Sequence, residues 1–198
     1  INWTPILLNM TDLALLKASF DDADVRNFRR ELFTDLDVID LHNEDISSIE
    51  PYQYDGIILT GSKASVLDDT DWVRETSDLI QRSIKDHSVP TLGVCWGAQM
   101  IAHSLGGEVE NGDRRELGFV PVSKEADHEL FEGLDERFIA FQSHEDYITE
   151  LPTESKVLAK NENAIQSFAH QSAVAVQFHP EVDYHTAQYL VDEYRDDD

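Results

Sequence analysis

The sequence Pro90-Thr91-Leu92-Gly93-Val94-Cys95-Trp96-Gly97-Ala98-Gln99 decides the fold, because it joins two kinds of secondary structure within one short segment. Residues 91–94 form an apolar run of the kind that lies buried in a parallel sheet. From Ala98 onward the apolar residues follow helical spacing, and Gly106-Gly107 ends the predicted helix. Between the two, Gly-x-Cys-x-Gly places the single cysteine of the chain at a sharp strand-to-helix turn, the geometry of a nucleophile elbow.

Cys95 has neighbours that favour a reactive thiolate over an inert buried thiol. Gly93 and Gly97 carry no side chain where a tight turn brings neighbouring segments together. The start of the following helix points unpaired N–H groups and the positive end of the helix dipole at the sulfur, and both stabilise the thiolate. The same N–H groups, that of Trp96 included, can bind the oxyanion of a tetrahedral intermediate. Taken alone, the pattern also fits a buried cysteine in an ordinary strand–helix turn.

A second segment, Val174-Ala175-Val176-Gln177-Phe178-His179-Pro180-Glu181, supplies residue types that would assist such a thiol. An apolar strand ends at His179, and Pro180 stops the hydrogen-bonded ladder. A base must reach the nucleophile, and a third group should fix the tautomer of that base. We expect Glu181 to turn back onto the imidazole, at the carboxyl edge of the same sheet. Taken alone, His-Pro-Glu also fits a solvated turn at the end of a strand.

Apolar runs and helical patterns alternate along the first half of the chain, and short strand-like runs fill the second half. The predicted strands are Pro5–Asn9, Asp37–Leu41, Gly56–Thr60, Thr91–Val94, Val109–Glu110, Phe119–Val122, Arg137–Phe141, Lys156–Ala159, Ala164–Ala169 and Ala173–Phe178. The predicted helices are Asp22–Phe33, Asp71–Lys85 with Asp71 as N-cap, Ala98–Leu105 and Tyr184–Tyr194. This order predicts an α/β, flavodoxin-like three-layer fold, with helices on both faces of a mostly parallel central sheet and an antiparallel extension in the second half. Residues 1–198 are predicted to form a single domain.

The composition excludes several classes of function. The chain has 40 acidic and 15 basic residues and a net charge of −25, which argues against binding to nucleic acid or anionic membranes. No apolar run approaches the roughly 20 residues of a membrane span, and the first residues lack the features of a signal peptide, so we expect a soluble, cytoplasmic protein. One cysteine allows neither an internal disulfide nor a cysteine-based metal cluster. His144 beside two acidic residues is too common a pattern to indicate a metal site, and no metal or cofactor is predicted.

Together, the two segments resemble the class I (triad) glutamine amidotransferases, whose pattern is Gly-x-Cys-x-Gly-x-Gln followed near the C-terminus by His-Pro-Glu. Two further segments are similar to that family: Asp55–Ser62, a strand leading into a glycine turn, and Ser143-His144-Glu145-Asp146, which matches Ser-His-x-Asp. The order nucleophile, histidine, acid differs from that of the α/β-hydrolases, in which the acid precedes the histidine. Segments Gly56–Asp69 and Glu116–Gly118 look most like the stand-alone, GMP synthase-like glutaminases of the family.

The resemblance implies hydrolysis of the glutamine side-chain amide through a γ-glutamyl thioester, without a cofactor. The implied catalytic residues are Cys95, His179 and Glu181. The implied oxyanion donors are the backbone N–H groups of Gly61 and Trp96. The implied substrate-binding residues are Gln99, Ser143 and His144.

Three functions remain open at this stage. The first is a glutaminase that supplies ammonia to a separate synthetase, because 198 residues are too few for an acceptor domain and no glycine-rich ATP-binding loop is present. The second is a self-sufficient γ-glutamyl hydrolase or peptidase that needs no partner. The third is a catalytically silent binding module on the same fold, which the intact cysteine, histidine and glutamate disfavour.

The excess of acidic residues predicts a protein adapted to a salt-rich cytoplasm. The acidic residues are spread along the whole chain, so the folded surface repels itself at low ionic strength. Salt shortens the Debye length from about 10 Å at 0.1 M to about 3 Å at 1 M and should relieve this repulsion. We expect the melting temperature to rise steadily from low to molar KCl. A melting temperature that stays constant or falls over this range would contradict the adaptation.

Overall fold

A computed structural model describes residues 12–194, which form one nine-stranded sheet with helices packed on it. The strands are β1 Leu13–Lys17, β2 Leu36–Asp40, β3 Gly56–Leu59, β4 Thr91–Val94, β5 Glu108–Lys124, β6 Arg137–Glu150, β7 Lys156–Lys160, β8 Ile165–His170 and β9 Ala173–Val176. The helices are α1 Ala23–Leu32, α2 Asp71–Gln81, α3 Trp96–Ser104 and α4 Tyr184–Tyr194. A π-helical turn, Arg82–Asp86, extends α2, and short 3₁₀ turns lie at Ile46–Ser48, Pro51–Gln53 and Glu129–Phe131.

The strand order β2-β1-β3-β4-β9-β8-β7-β5-β6 divides the sheet into a parallel half and an antiparallel half. The first five strands in this order all pair in parallel, and the remaining pairs are antiparallel. All residues of β1 and β3 are buried, as expected for parallel strands that are covered on both faces. The predicted mostly parallel sheet with an antiparallel extension is confirmed.

Each face of the parallel half carries its own apolar core. On one face, Leu79 of α2 and Ile101 of α3 belong to the buried cluster that includes Leu16 of β1. On the other face, Val25 and Phe28 of α1 belong to the cluster that includes residues of β1, β3 and β4. Because successive side chains of a strand point to opposite faces, each buried strand contributes to both cores. The predicted three-layer arrangement with helices on both faces is therefore confirmed.

The turn from β4 into α3 depends on two glycines that lie against backbone atoms. A Cβ added to Gly93 would lie 2.5 Å from the carbonyl oxygen of Gly97. A Cβ added to Gly97 would lie 2.6 Å from both Cβ and the carbonyl oxygen of Leu59. These distances are too short for any side chain, so helix α3 can start this close to the sheet only with glycine at both positions. The close packing that the sequence predicts for this turn is present.

Several predicted boundaries differ from the structure. The predicted strand Pro5–Asn9 lies outside the described residues, and the strand Leu13–Lys17 was not predicted. Its short apolar run, Leu13-Ala14-Leu15-Leu16, does not by itself distinguish strand from helix. Asp71 was predicted as the N-cap of its helix, but Thr70 occupies that position and Asp71 is the first helical residue. Helix α3 begins at Trp96 rather than at Ala98, because its first turn forms the elbow itself.

Two predicted short strands form parts of a single long one. Val109–Glu110 and Phe119–Val122 both belong to β5, which pairs with β6 along most of its length. The register shifts between Asn111 and Glu116, and this irregularity makes the two parts look separate in the sequence. Among residues 12–194, none of the helices has the length and apolar character needed to span a lipid bilayer.

We expect Gly97→Ala to destabilise the protein because its new Cβ would collide with Leu59 backbone atoms that cannot move aside easily. Overpacking of this kind typically costs about 1–3 kcal/mol of unfolding free energy. Urea denaturation followed by circular dichroism measures the change. The control is His103→Ala on the exposed face of the same helix, which should change stability by less than about 0.5 kcal/mol. Equal stabilities of the two variants would show that the elbow tolerates a side chain.

Candidate active site

Cys95 lies at the start of α3 in a backbone conformation that few residues adopt. Its φ of 53° and ψ of −110° place it outside the helical and extended regions, as the strained turn at a nucleophile elbow requires. Its N–H donates to the carbonyl of Val176 at 2.9 Å, which ties the elbow to the end of β9. The Cys95 side chain is buried, and Sγ lies 3.8 Å from the carbonyl oxygen of Ser143. The sulfur therefore lies where β4, β6 and β9 meet.

His179 follows the end of β9 and lies beside this sulfur. Its N–H donates to the carbonyl of Phe141 at 2.9 Å, which fixes the backbone at this position. Its side chain lies close to that of Cys95, since both border Gly61, and Nδ1 lies 2.8 Å from Oε1 of Glu181. The Glu181 side chain is fully buried, and that of His179 is 8% exposed. The structure thus brings together a thiol, an imidazole and a carboxylate in the order that the sequence predicts.

The charges around His179 favour the imidazolium form. Burial alone would lower the pKa of His179, but the negative charges of Glu181 and Cys95 outweigh it and raise the pKa well above its usual value. A proton is therefore held on the imidazole, directly beside the sulfur. Oε2 of Glu181 is buried and has no hydrogen-bond partner among the described residues, so the carboxylate interacts with His179 through one oxygen.

Gly61 follows β3 and faces both reactive side chains. A Cβ at this position would lie 3.0 Å from Cε1 of His179 and 3.9 Å from Sγ of Cys95, so the Gly61 backbone approaches the sulfur closely. Trp96 is the first residue of α3, where backbone N–H groups have no partner within the helix. Its indole stacks on Trp72 with a centroid distance of 5.1 Å, and the side chain does not line the cavity described next. A contact of the Trp96 backbone N–H with an oxyanion stays a prediction.

A cavity of about 290 Å³ opens in front of Cys95. Its lining includes six of the predicted site residues, namely Gly61, Cys95, Gln99, Ser143, His144 and His179. Like His179, the side chains of Gln99 and His144 are held by hydrogen bonds within the protein. Gln99 Nε2 donates to the carbonyl of Asp146 at 2.9 Å, which anchors the amide in the cavity wall. His144 has Nδ1 at 3.0 Å from the Asp146 carbonyl and Nε2 at 3.0 Å from Oε2 of Glu116.

The contacts of His144 give its ring a structural part in the wall. The two contacts hold the ring between the Asp146 backbone and the Glu116 carboxylate, both of which accept hydrogen bonds. Burial raises the pKa of Glu116, but hydrogen bonds from His144, Asn163 and Asn161 outweigh it and lower the pKa overall. A direct contact between the His144 ring and substrate stays a prediction. Among the described residues, no group of three or more His, Cys, Asp or Glu side chains is arranged to hold a metal ion.

The rim of the cavity holds residues that the sequence did not single out. The guanidinium of Arg115 lies 3.7 Å over the ring of Tyr194 and 2.6 Å from Oε1 of Glu145. Nζ of Lys63 lies 2.5 Å from Oε1 of Glu193, and this ion pair connects the end of α4 to the rim of the cavity. The chain has only 15 basic residues against 40 acidic ones, so two basic side chains at one rim are unusual. Charge counting along the sequence could not find them, because they come together only in the fold.

Asp24, in the first turn of α1, also lines the cavity without having been predicted. Burial and the neighbouring negative charge of Glu181 raise the pKa of this carboxyl to about 7, against a smaller opposing effect of His179. The folded protein therefore binds the Asp24 proton more tightly than the unfolded chain does. As a consequence, this group costs increasing stability as the pH rises from about 4 to 7, and the full cost remains above 7.

We expect Asp24→Asn to raise the melting temperature, and to raise it more at pH 8 than at pH 5. The amide has no charged form, so the substitution removes a cost that is largest when Asp24 is ionised. One kcal/mol corresponds to about 2–4 °C for a chain of this size, and the gain at pH 8 should exceed that at pH 5 by about 3–6 °C. Calorimetry at both pH values tests this, with the exposed Asp135→Asn as control. A gain that does not depend on pH would contradict the assignment.

Comparison with known proteins agrees with the geometry of the site. A family model described as glutamine amidotransferase class-I matches residues 19–195. The chain is 38% identical over 142 residues to a glutamine-hydrolyzing GMP synthase of Thermomicrobium roseum, covering 71% of this chain and 26% of that protein. It is 35% identical over 156 residues to the enzyme of the same name from Azoarcus sp., covering 72% and 29%. The chain therefore spans about a quarter of the length of these relatives.

Two solved structures share the fold. A glutamine amidotransferase from Thermotoga maritima matches with a TM-score of 0.81 and 26% identity, over 94% of this chain and 84% of that chain. A putative GMP synthase subunit from Thermoplasma acidophilum matches with a TM-score of 0.73 and 26% identity, over 95% of this chain and 97% of that chain. With the family pattern matched from residue 19 to residue 195 and the same fold in these structures, the chain belongs to the class I glutamine amidotransferase family.

Proposed function

We propose that the protein hydrolyses the side-chain amide of glutamine and releases ammonia. Cys95 is the nucleophile, His179 the general acid and base, and Glu181 the group that orients the imidazole. The observation that carries this proposal is the buried contact of His179 with both Cys95 and Glu181, together with the raised pKa of His179. A protonated imidazole beside the sulfur stabilises the thiolate, which is the reactive form of cysteine.

In the first half of the reaction, the Cys95 thiolate attacks the γ-carbonyl carbon and a carbon–sulfur bond forms. The negative charge moves to the carbonyl oxygen, which the backbone N–H groups of Gly61 and Trp96 bind. A single donor of this kind is worth roughly 10²–10³ in rate. His179 then gives its proton to the γ-nitrogen, the carbon–nitrogen bond breaks, and ammonia leaves. The product on the enzyme is a γ-glutamyl thioester.

In the second half, a water molecule takes the place of ammonia. His179, now neutral, accepts a proton from the water while the oxygen attacks the thioester carbon. The tetrahedral intermediate again places its negative charge between Gly61 and Trp96. The carbon–sulfur bond then breaks, glutamate leaves, and the thiolate and imidazolium are restored. Because Glu181 accepts from Nδ1 throughout, the other ring nitrogen stays directed at the reacting centre.

The cavity provides both apolar and charged groups for a small amino acid. Gln99, Ser143 and the His144 segment form the wall nearest the sulfur and are proposed to hold the γ-amide end of the substrate. Arg115 and Lys63 at the rim, and Asp24 on the α1 side, are charged groups suited to the α-carboxylate and α-ammonium of free glutamine. The cavity thus offers cationic side chains for the α-carboxylate of glutamine and a carboxyl group for its α-ammonium.

The released ammonia is proposed to serve a separate synthetase. The matched relatives are named glutamine-hydrolyzing GMP synthases, and this chain corresponds to about a quarter of their length. The Thermoplasma acidophilum protein, 97% of which aligns with this chain, is named as a putative subunit of a GMP synthase. The second match supports a glutaminase that works with a further polypeptide carrying the synthetase chemistry.

The test is an ammonia-release assay on the purified protein in molar KCl, with glutamine and with γ-glutamyl peptides. We expect Cys95→Ala to abolish turnover of glutamine, because the chain has no other cysteine to form the thioester. Glu181→Gln should lower kcat by about 10–100-fold, because a misoriented base costs rate without removing the nucleophile. His103→Ala, on the exposed face of α3, is the matched control and should leave turnover unchanged.

Each outcome of this assay separates the candidate functions. Glutamine turnover that rises when a cognate synthetase is added supports ammonia supply to a partner. Rapid turnover of γ-glutamyl peptides by the protein alone would instead indicate a self-sufficient γ-glutamyl hydrolase. An unchanged rate of glutamine turnover in Cys95→Ala would contradict the proposed mechanism.

A further inference from the structure

The Glu181 side chain has only one hydrogen bond within the described residues to hold its orientation. Oε1 lies 2.8 Å from Nδ1 of His179, and Oε2 is buried with no partner in that part of the chain. With one hydrogen bond, this fully buried carboxylate depends for its orientation on packing and on the main chain that carries it. The placement of the Glu181 main chain therefore contributes to where the carboxylate lies relative to the imidazole.

That main chain is held by a side chain from the other end of the sequence. Arg30, in the last turn of α1, donates from Nη2 to the carbonyl oxygen of Glu181 at 2.6 Å. Its Nη1 donates to Oδ2 of Asp183 and to Oδ1 of Asn27, both at 2.9 Å. The planar guanidinium thus spans two points of the segment that follows His179, a geometry that a lysine ammonium cannot reproduce.

Further hydrogen bonds make the same segment rigid. Oδ1 of Asp183 accepts from the N–H of Thr186 at 2.8 Å, which closes the turn leading into α4. Nδ2 of the buried Asn27 lies 3.3 Å from Oγ1 of Thr186, so α1 holds this turn at a second point. In agreement, hydrogen bonds from Thr186 and, to a smaller extent, the positive charge of Arg30 lower the pKa of Asp183.

We propose that Arg30 is a positioning residue for the active site, which acts through the main chain of Glu181 to keep its carboxylate aligned with His179. The proposal rests on the proposed function, in which Glu181 orients the general acid and base. The guanidinium donates to the Glu181 carbonyl and not to the imidazole or the sulfur, so its influence on Cys95 must pass through Glu181. Without this hydrogen bond, the Glu181 main chain can shift, the contact between carboxylate and imidazole weakens, and the imidazolium form of His179 becomes less stable.

The test is a double-mutant cycle of Arg30→Met and Glu181→Gln. Arg30→Met keeps the aliphatic stem of the side chain but removes both donors, and the control Arg29→Met alters an exposed arginine of the same helix. We expect Arg30→Met to lower kcat for glutamine by about 10–100-fold with KM changed by less than about 3-fold. In the Glu181→Gln background the same change should cost less than about 3-fold, because the group that it positions is already absent. Arg29→Met should change kcat by less than about 2-fold.

A second readout does not need a substrate. The rate of Cys95 alkylation by iodoacetamide, measured against pH, reports the thiolate and the imidazolium beside it. Loss of the aligned Glu181 should move the alkaline limb of this profile to lower pH in Arg30→Met, but not in Arg29→Met. If the wild-type protein does not hydrolyse glutamine, this profile still decides the role of Arg30, so failure of the proposed function and failure of this inference are distinguishable.

Two results would overturn the inference. The first is an equal loss of kcat from Arg30→Met in the wild-type and Glu181→Gln backgrounds. The second is a lower melting temperature with kcat and the alkylation profile unchanged, since that would make Arg30 a purely structural residue. Should Arg30→Met not fold, Arg30→Lys replaces it in the same cycle. The lysine retains the charge but cannot donate to both points, so it should show the same non-additive loss.

Discussion

Helix α3 starts so close to β3 that no side chain fits between them, and the rest of the site depends on this contact. Gly97 lies against the Leu59 backbone, and Gly93 lies against Gly97. This approach forces the backbone of Cys95 into its unusual conformation and lifts the sulfur to the carboxyl edge of the sheet. Gly61 and His179 then follow the ends of β3 and β9, which parallel pairing with β4 brings to the same edge.

Burial of the His179–Glu181 pair sets the electrostatics of the site. Removing a charged pair from water is costly, and the cost is tolerated only when hydrogen bonds and opposite charges compensate it. Here one carboxylate oxygen of Glu181 contacts Nδ1 of His179, and the negative charges of Glu181 and Cys95 favour a proton on the imidazole. The negative charge of Glu181 also raises the pKa of Asp24, where burial is the larger cause. The negative charge of Glu181 therefore favours a proton both on the His179 imidazole and on the neighbouring Asp24 carboxyl group.

The sequence allowed prediction of those parts of the site whose chemistry is local. Cys95 and His179 stand in segments where glycine, proline and apolar residues each have a conformational reason, so short patterns identify them. Arg30 could not be predicted, because its contact with Glu181 joins residues 151 positions apart. Asp24 could not be predicted either, since its pKa depends on burial and on Glu181. The strand β1 was missed because a short apolar run fits either a strand or a helix.

The position of β9 in the middle of the sheet has a consequence for how the chain folds. β9 lies between β4 and β8. The position next to β4, the strand that leads into Cys95, is therefore occupied by the last strand of the described chain. Such a pairing of distant segments is slow to form, and until it forms the edge of β4 is exposed to other chains. During synthesis, Cys95 emerges well before His179, and the two side chains come together only when the sheet closes. Assembly of the candidate active site is thus coupled to completion of the fold.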